Sequence, residues 1–381
     1  MGPLLFVPHG TAISMAKAAK EEVPADLSVE DWSKYINDKY GGQLVSKPQE
    51  FDTLKMRRFS SGSIDVDCAI GGGWPLSRIV LIAGDESTGK TFWALKAMNS
   101  IENYDHLTHL HKDFVKPEAF QRGRAMFVDV EGTFDEDWAK KLRVDLEWHY
   151  IARPEHQQQA IDIVSDSIKR NLFDLIILDS VAAMCPMEEQ DASAEDNTVA
   201  LAARKNNQAF RKWGADLNLM SQRTKSGGPC IILLNQMRIS IGFTMGDPRF
   251  IPGGQMQKFA ASIIVLTRAA EYDDTKTSAL SQVKLKGTTK KNKTYPPRQN
   301  YETTLYLADT KEVAVGQLEN VSPLMKRGKD LGLIQIGKQV TFGKTVTNTQ
   351  GEFKALLASS AALQRQLWRS IINVTCGDCS I

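Results

Sequence analysis

Eight residues, Gly84–Thr91 (GDESTGKT), limit the folds open to this chain more than any other segment, and they directly follow the apolar run at 79–83. Glycine at positions 84 and 89 lets the backbone fold closely around an anion, so that successive N–H groups point at phosphate oxygens. The helix expected from Thr91 onward adds the positive end of its dipole. We therefore predict a buried strand, a phosphate-binding loop and a helix in that order, within an α/β fold.

The pattern G-x-x-x-x-G-K-[ST] also assigns chemical roles. Lys90 is predicted to bridge the β- and γ-phosphates of ATP, and Thr91 to offer its hydroxyl to Mg²⁺. Asp179, which closes the run DLIILD, is predicted to hold the Mg²⁺ shell, with Asp129 as its competitor. Glu131 is placed to orient and deprotonate the attacking water. The predicted nucleotide contacts within the loop are Gly84, Asp85, Glu86, Ser87, Thr88, Gly89, Lys90 and Thr91.

Short, unbroken apolar runs alternate with helical stretches beyond the loop. This alternation is typical of parallel strands that are buried on both faces. The runs lie at 79–83, 125–129, 174–179, 229–235 and 262–267. Residues 283–307 indicate two further strands around a turn at Pro296–Pro297. We predict an α/β fold with a mostly parallel central sheet, followed by a mixed helix and strand pattern from about 317.

The charge balance carries no bulk indication of nucleic-acid binding, because Lys plus Arg (47) nearly equals Asp plus Glu (45). A DNA-binding surface must therefore be local. The segment 284–298 is such a basic stripe, with a solvated strand edge as the alternative. Five scattered cysteines favour a reducing compartment, and no apolar run reaches the roughly 20 residues that a membrane helix needs. We expect a cytoplasmic protein that does not engage a membrane.

Six segments, in this order, resemble bacterial RecA. They are FSSGSIDVDCAIGGGWPLSRIVLIAGDESTGKT (59–91), FVDVEGTFDEDWAKKL (127–142), LIILDSVAAM (175–184), LAARKNNQAFRKW (201–213), LLNQMRISIGFTMGDPRFIPGGQMQKF (233–259) and KKNKTYPP (290–297). The stretch 235–259 is the most specific, because an unrelated P-loop ATPase has no reason to contain it. Two departures stand out: Asp85 replaces a proline usual in that loop, and 102–122 resembles a surface insertion.

The resemblance implies roles at the nucleotide. Glu131 matches the catalytic glutamate, and Gln236 matches the residue that senses the γ-phosphate. Lys291 and Lys293 match lysines that reach the ATP of a neighbouring subunit. The remaining matched nucleotide contacts are Asp135 and Trp138 at the adenine, and Pro297.

The resemblance also implies two DNA-binding loops, at about 187–200 and 237–257. The matched DNA contacts are Arg204, Asn207, Arg211, Arg238, Ile239, Ser240, Gly253, Gly254 and Gln255. Arg204 and Arg211 lie seven residues apart, so on a helix they share one face and could follow a phosphate backbone. Exposed Ile241 and Phe243 would be costly on a plain surface loop, but they could wedge between bases.

The implied protein is an ATP-dependent recombinase that forms helical homo-oligomeric filaments on single-stranded DNA and pairs them with double-stranded DNA. It would act in the cytoplasm of a bacterial or phage-infected cell. The expected regions are an oligomerisation arm at 1–58, an ATPase and DNA-binding core at 59–312, and a small α+β domain at 313–381.

Two alternatives stay open. A hexameric helicase shares this core, but it is expected to carry an arginine finger where this chain has the lysines of KKNK. A RecA-like paralogue could bind ATP and a partner protein without exchanging strands. The complete set Lys90, Thr91, Glu131, Asp179 and Gln236 argues against that paralogue.

Overall fold

The computed structural model describes residues 27–41, 44–50, 56–105, 110–184, 199–224, 227–239, 249–268, 271–272, 282–309 and 313–377. Met1–Leu54 and Lys55–Ile381 form separate units. Most of the first predicted DNA loop (187–198), the residue Ser240, and Ile241 and Phe243 lie outside the described residues.

In the first unit, the described residues form one helix, α1 (Val29–Tyr40), and a 3-10 turn at Pro48–Glu50. Ser28 caps the helix by accepting a hydrogen bond from the Asp31 N–H (3.1 Å). The helix ends at Gly41, whose φ of 68° suits glycine. Beyond it, the Asn37 side chain accepts from the Leu44 and Val45 N–H groups, which fixes the returning segment.

The second unit carries a small antiparallel sheet of β1 (Arg58–Phe59) and β2 (Trp74–Pro75), and it is built on a nine-stranded sheet in the described residues. Its order is β11-β12-β10-β3-β7-β6-β4-β5, with β13 paired to β12. Every pairing from β10 to β5 is parallel, and the pairings of β12 are antiparallel. The strands are β3 (Ile79–Gly84), β4 (Ala125–Asp129), β5 (Tyr150–Ala152), β6 (Leu175–Asp179), β7 (Cys230–Gln236), β10 (Ile263–Thr267), β11 (Glu271–Tyr272), β12 (Gln282–Asn292) and β13 (Asn300–Tyr306). The mostly parallel α/β fold is therefore confirmed.

Helices cover both faces of this sheet. The helices of the second unit are α2 (Ile64–Ile70), α3 (Lys90–Ile101), α4 (Glu136–Lys141), α5 (Gln157–Arg170), α6 (Val199–Arg223), α7 (Met256–Ala260), α8 (Val321–Asp330), α9 (Gln350–Ser359) and α10 (Ala361–Cys376). Side chains alternate along β3: Val80 and Ile82 pack with α3, whereas Leu81 packs with α5 and α6. Strands buried on both faces read as unbroken apolar runs for this reason. None of the helices in the described part of the chain has the length and apolar character that a membrane crossing needs.

Residues beyond 313 form α8, a three-stranded antiparallel sheet and two helices. The small strands are β14 (Gln335–Ile336), β15 (Val340–Phe342) and β16 (Thr345–Thr347). Their apolar cluster is completed by Ile64 and Cys68 from α2, so this region packs directly on the core. An Arg327–Asp65 ion pair (2.7 Å) adds a second link. The predicted boundaries at 58/59 and 312/313 stay predictions.

The segment 102–122 is only partly a surface feature. Glu102, Tyr104 and Asp105 are buried, and bridges join Tyr104 to His111 and Asp105 to Arg122. The Arg122 guanidinium contacts the carboxylates of Glu102 (2.7 Å) and Asp145 (2.9 Å). The base of the insertion is therefore part of the core, whereas Lys112, Asp113 and residues 116–119 are exposed, as a surface insertion predicts.

Candidate nucleotide and nucleic-acid site

The predicted phosphate loop lies between β3 and α3 at the carboxyl edge of the sheet. Ser87 (φ 57°) and Gly89 (φ 84°) have left-handed backbones, which turn the loop into the helix. Thr88 is buried and shares a hydrogen bond with Thr267 (2.7 Å), so the loop is fastened to the neighbouring strand β10. A Cβ on Gly84 would collide with both threonine side chains, which explains why glycine stands there.

Lys90 and Thr91 occupy the first positions of α3. The Lys90 ammonium donates to the Asp85 carbonyl (2.6 Å) across the loop, and burial lowers its pKa. The Thr91 hydroxyl donates to Asp179 Oδ2 (3.3 Å). The structure therefore brings together the two residues predicted to hold Mg²⁺.

Asp179 is buried at the end of β6. Burial raises its pKa to about 7, with the nearby Glu131 carboxylate as a further cause. The Asp179 and Glu131 carboxylates and the Thr91 hydroxyl are oxygen donors of the kind that Mg²⁺ accepts. The Lys90 ammonium beside them suits the negative charge of a phosphate. These residues fit an ATP–Mg²⁺ complex.

Glu131 is exposed beyond the end of β4, beside Asp179. Its N–H donates to the Asp179 carbonyl (3.3 Å), and its carboxylate accepts a hydrogen bond from the Ser180 hydroxyl. Sequence reasoning missed Ser180 as a positioning residue, although it directly follows Asp179.

Asp129, the competing carboxylate, has a structural explanation. It is buried, accepts hydrogen bonds from the Thr133 and Phe134 N–H groups, and contacts Arg153 (3.4 Å). Its oxygens thereby fix the turn that carries Glu131.

Gln236 ends β7 opposite Gly84, and the Met237 N–H donates to the Gly84 carbonyl (3.0 Å). The chain then enters a two-stranded ribbon, β8 (Arg238–Ile239) with β9 (Arg249–Phe250). This ribbon is the stem of the second predicted DNA loop. Arg238 and Ile239 are exposed on it.

Asp85 links the phosphate loop to the ribbon of the second predicted DNA loop. Its carboxylate contacts Arg249 (3.5 Å) in β9, while its carbonyl accepts from Lys90 and Thr88. The carbonyl therefore belongs to the phosphate loop, and the carboxylate faces the ribbon. This contact was not foreseen, because no local pattern indicates which residue Asp85 meets.

The glycines after the ribbon are held by buried amides. Gln257 donates to the carbonyls of Pro252 and Gly254, and accepts from Asn235 Nδ2 (2.8 Å). Gly253 and Gly254 have φ values of 85° and 95°, and an added Cβ would meet Val181 or Asn207. This amide network joins the end of β7 to the predicted DNA loop.

Helix α6 lies against the same loop. The Asn207 side-chain oxygen accepts from the Met256 N–H (3.1 Å), whereas Arg204 and Arg211 are exposed. Gln255 is also exposed. The structure therefore brings α6, the glycine pair and the ribbon together, and gives Asn207 a structural contact of its own.

A family model described as the RecA N-terminal domain matches residues 28–310. The chain is 30% identical over 343 residues to Protein RecA of Mesomycoplasma hyopneumoniae (strain J), covering 89% of this chain and 92% of that one. It is 32% identical to Protein RecA of Streptococcus equi subsp. zooepidemicus (strain MGCS10565), covering 81% and 74%.

The chain belongs to the RecA family. The general assignment to DNA recombination and repair, with a RecA-type ATP-binding core, follows from that membership. The roles of individual residues in this RecA-family protein stay predictions.

Five nucleotide residues that only the resemblance implies lie apart from the phosphate loop in sequence, and four of them have other contacts here. Asp135 caps α4 by accepting from the Trp138 N–H (2.9 Å), and the Trp138 ring is half-buried against the core. Lys291 donates to the carbonyls of Lys258 (2.5 Å) and Phe259 (3.1 Å) near the end of α7. Lys293 also reaches Phe259 (3.4 Å). Pro297 is exposed in the turn between β12 and β13.

Proposed function

We propose that this chain is a DNA-dependent ATPase that assembles into helical filaments on single-stranded DNA and catalyses homologous pairing and strand exchange with duplex DNA. One observation carries the proposal. The strand that ends at Gln236 beside the phosphate loop continues directly into the ribbon of the second predicted DNA loop. The ion pair between Asp85 and Arg249 is a second link between the phosphate loop and this ribbon. Family membership supports the same assignment.

The chemistry assigned to the site is hydrolysis by water. Lys90 would bind the β- and γ-phosphates, and Thr91 and Asp179 would hold Mg²⁺. Bound Mg²⁺ would neutralise charge on those phosphates. Glu131, oriented by Ser180, takes the proton of the attacking water. Gln236 contacts the γ-phosphate and conveys its presence to the ribbon, which begins two residues later. The predicted cytoplasmic location stays a prediction.

Glu131→Gln tests this assignment. The variant should assemble on single-stranded DNA with ATP, because phosphate and Mg²⁺ contacts remain, but its turnover should fall by about 100-fold or more. ATPase assays and electron microscopy measure the two properties. Lys90→Ala should abolish hydrolysis, and Glu136→Gln, an exposed carboxylate on α4, should behave as the wild type.

The same micrographs distinguish the alternatives. Rings in place of helical filaments would indicate a helicase, and the absence of any assembly a non-catalytic paralogue. A joint-molecule assay between circular single-stranded DNA and a linear duplex tests strand exchange itself. If Glu131→Gln fails to bind ATP, the carboxylate is structural and its assignment as the base is wrong.

A further inference from the structure

A cavity of 1160 Å³ lies between the insertion at 102–122, the end of α3 and the helices α9 and α10. None of the residues assigned to the nucleotide or to DNA lines it. The cavity exceeds the roughly 300–1,000 Å³ typical of small-ligand pockets. It is therefore a candidate for a larger ligand.

The insertion and the last helix close this cavity together. Asp113 forms an ion pair with Arg365 of α10, and the Arg369 guanidinium lies 4.8 Å from the Phe114 ring. The base of the insertion is fixed by backbone hydrogen bonds, including Lys112 N–H to the Asn103 carbonyl (2.7 Å). The wall formed by the insertion is thus held in place.

The lining is strongly basic. Cations come from four separate elements: Lys96 from α3, Lys112 from the insertion, Lys354 from α9, and Lys141 with Arg143 from the end of α4 and the turn after it. None of the five forms an ion pair with a described residue. The two lining carboxylates have partners already, since Glu102 contacts Arg122 and Glu319 accepts from Tyr306, which also lines the cavity.

Burial, with Arg143 as a second cause, lowers the pKa of Lys96 to about 8. A cleft lined by charges of one sign focuses the field and attracts the opposite charge. An anionic ligand would relieve the mutual repulsion of these cations.

The lining favours a peptide over a nucleic acid. Single-stranded nucleic acid is held without sequence preference by bases that stack on open aromatic faces. Here Tyr104 is buried, the Phe114 ring faces Arg369, and the Trp368 indole donates to Asp67 (3.2 Å). The cavity also presents apolar surface at Val313 and Val321, which suits side chains such as Leu or Phe.

We propose that this cavity is a docking site for an acidic peptide segment of a partner protein, whose Asp and Glu residues are interrupted by apolar ones. Recognition of acidic motifs by clusters of basic side chains is a common mode of peptide binding. The bound segment would contact the core, the insertion and α9 together.

Fluorescence anisotropy with a fluorescein-labelled decapeptide of Asp and Glu containing two Phe residues tests the proposal, without ATP or DNA. The wild-type chain should bind it in a salt-sensitive manner. Lys112→Glu combined with Lys354→Glu should weaken binding at least about tenfold, because like charges then face the peptide. Both lysines are exposed, so the fold should be retained. Lys169→Glu combined with Lys338→Glu changes the net charge equally, outside the cavity, and should bind as the wild type.

The proposal is overturned if the wild type does not bind the decapeptide, or if both double variants bind it equally. It is also overturned if labelled oligo(dT), rather than the peptide, loses affinity in the Lys112/Lys354 variant, since the ligand would then be nucleic acid. Photo-crosslinking of the wild type with a benzophenone-bearing decapeptide gives an independent readout. Adducts should map to segments that line the cavity (96–104, 111–114, 141–143, 313–322 or 354–369), and adducts confined to segments outside the lining contradict the site.

Discussion

Asp67 shows how much a single buried side chain can depend on its surroundings. It lies in α2, where its carboxylate accepts from the Ser60 hydroxyl (2.6 Å), the Ser61 N–H (2.7 Å) and the Trp368 indole (3.2 Å). These bonds join the segment before α2 to the last helix. Burial nevertheless dominates and raises the pKa of Asp67 from 3.8 to about 6.

The raised pKa predicts a pH-dependent stability. The folded state binds the Asp67 proton more tightly than the unfolded state does. This contribution to the free energy of unfolding is therefore complete below about pH 4 and is lost as the pH rises through 6. The advantage of the wild type over Asp67→Asn should shrink by about 1 kcal/mol between pH 5 and pH 7. Urea denaturation at both pH values measures it.

Asp166→Asn, at an exposed carboxylate of α5, serves as the control and should stay within about 0.5 kcal/mol of the wild type. A wild-type advantage over Asp67→Asn that stays unchanged between pH 5 and pH 7 would show that the buried carboxylate is ionised throughout this range.

At the scale of single residues, the sequence predicted those site residues that belong to a motif or stand at the end of a strand. Lys90, Thr91 and Asp179 are brought together because parallel strands end at one edge of the sheet. Contacts made only by tertiary packing were not predicted. Thr267 contacts Thr88 of the phosphate loop across a separation of 179 residues in the chain, and Arg249 contacts Asp85 across 164 residues.

At the scale of elements, the long parallel strands were predicted within a residue or two, because burial on both faces makes each one an apolar run. The edge strand β5 was missed. Tyr150 and Ile151 are exposed there, and only three residues pair. The amide network around Gln257 was also missed, since buried amides at unrelated positions leave no periodic pattern.

That network yields a prediction with a matched pair of variants. Gln257→Met should lower the free energy of unfolding by about 2 kcal/mol, because the Gly254 carbonyl loses its side-chain donor, while Asn235 and the Pro252 carbonyl keep only their bond to each other (2.9 Å). Gln255→Ala, two residues away and exposed, should leave stability unchanged but weaken binding of single-stranded DNA. Thermal denaturation and fluorescence anisotropy with oligo(dT) separate the two effects. Equal stability losses in both variants would contradict the structural role of Gln257.

At the scale of the whole molecule, the resemblance predicts an ATPase site that is shared between two subunits. Phosphate-loop residues lie at the edge of β3, whereas Lys291 and Lys293 cap carbonyls near the end of α7. The resemblance to bacterial RecA predicts that these lysines reach the ATP of a neighbouring subunit. In an assembled filament they would have to exchange those carbonyls for phosphates.

Lys291→Ala combined with Lys293→Ala tests a site shared between subunits. The double variant should stay folded and bind nucleotide, because the phosphate loop is intact, but it should lose DNA-dependent hydrolysis. Lys284→Ala, on the same strand but paired with Glu302 (3.9 Å), should keep DNA-dependent hydrolysis.

In a mixture of the double variant with Lys90→Ala, the Lys90→Ala subunit still supplies its lysines to a neighbour with an intact phosphate loop. Partial recovery of ATPase activity is therefore expected. If co-assembled mixtures show none, the lysines act elsewhere, and the basic stripe at 284–298 becomes a duplex-binding surface with steep salt dependence.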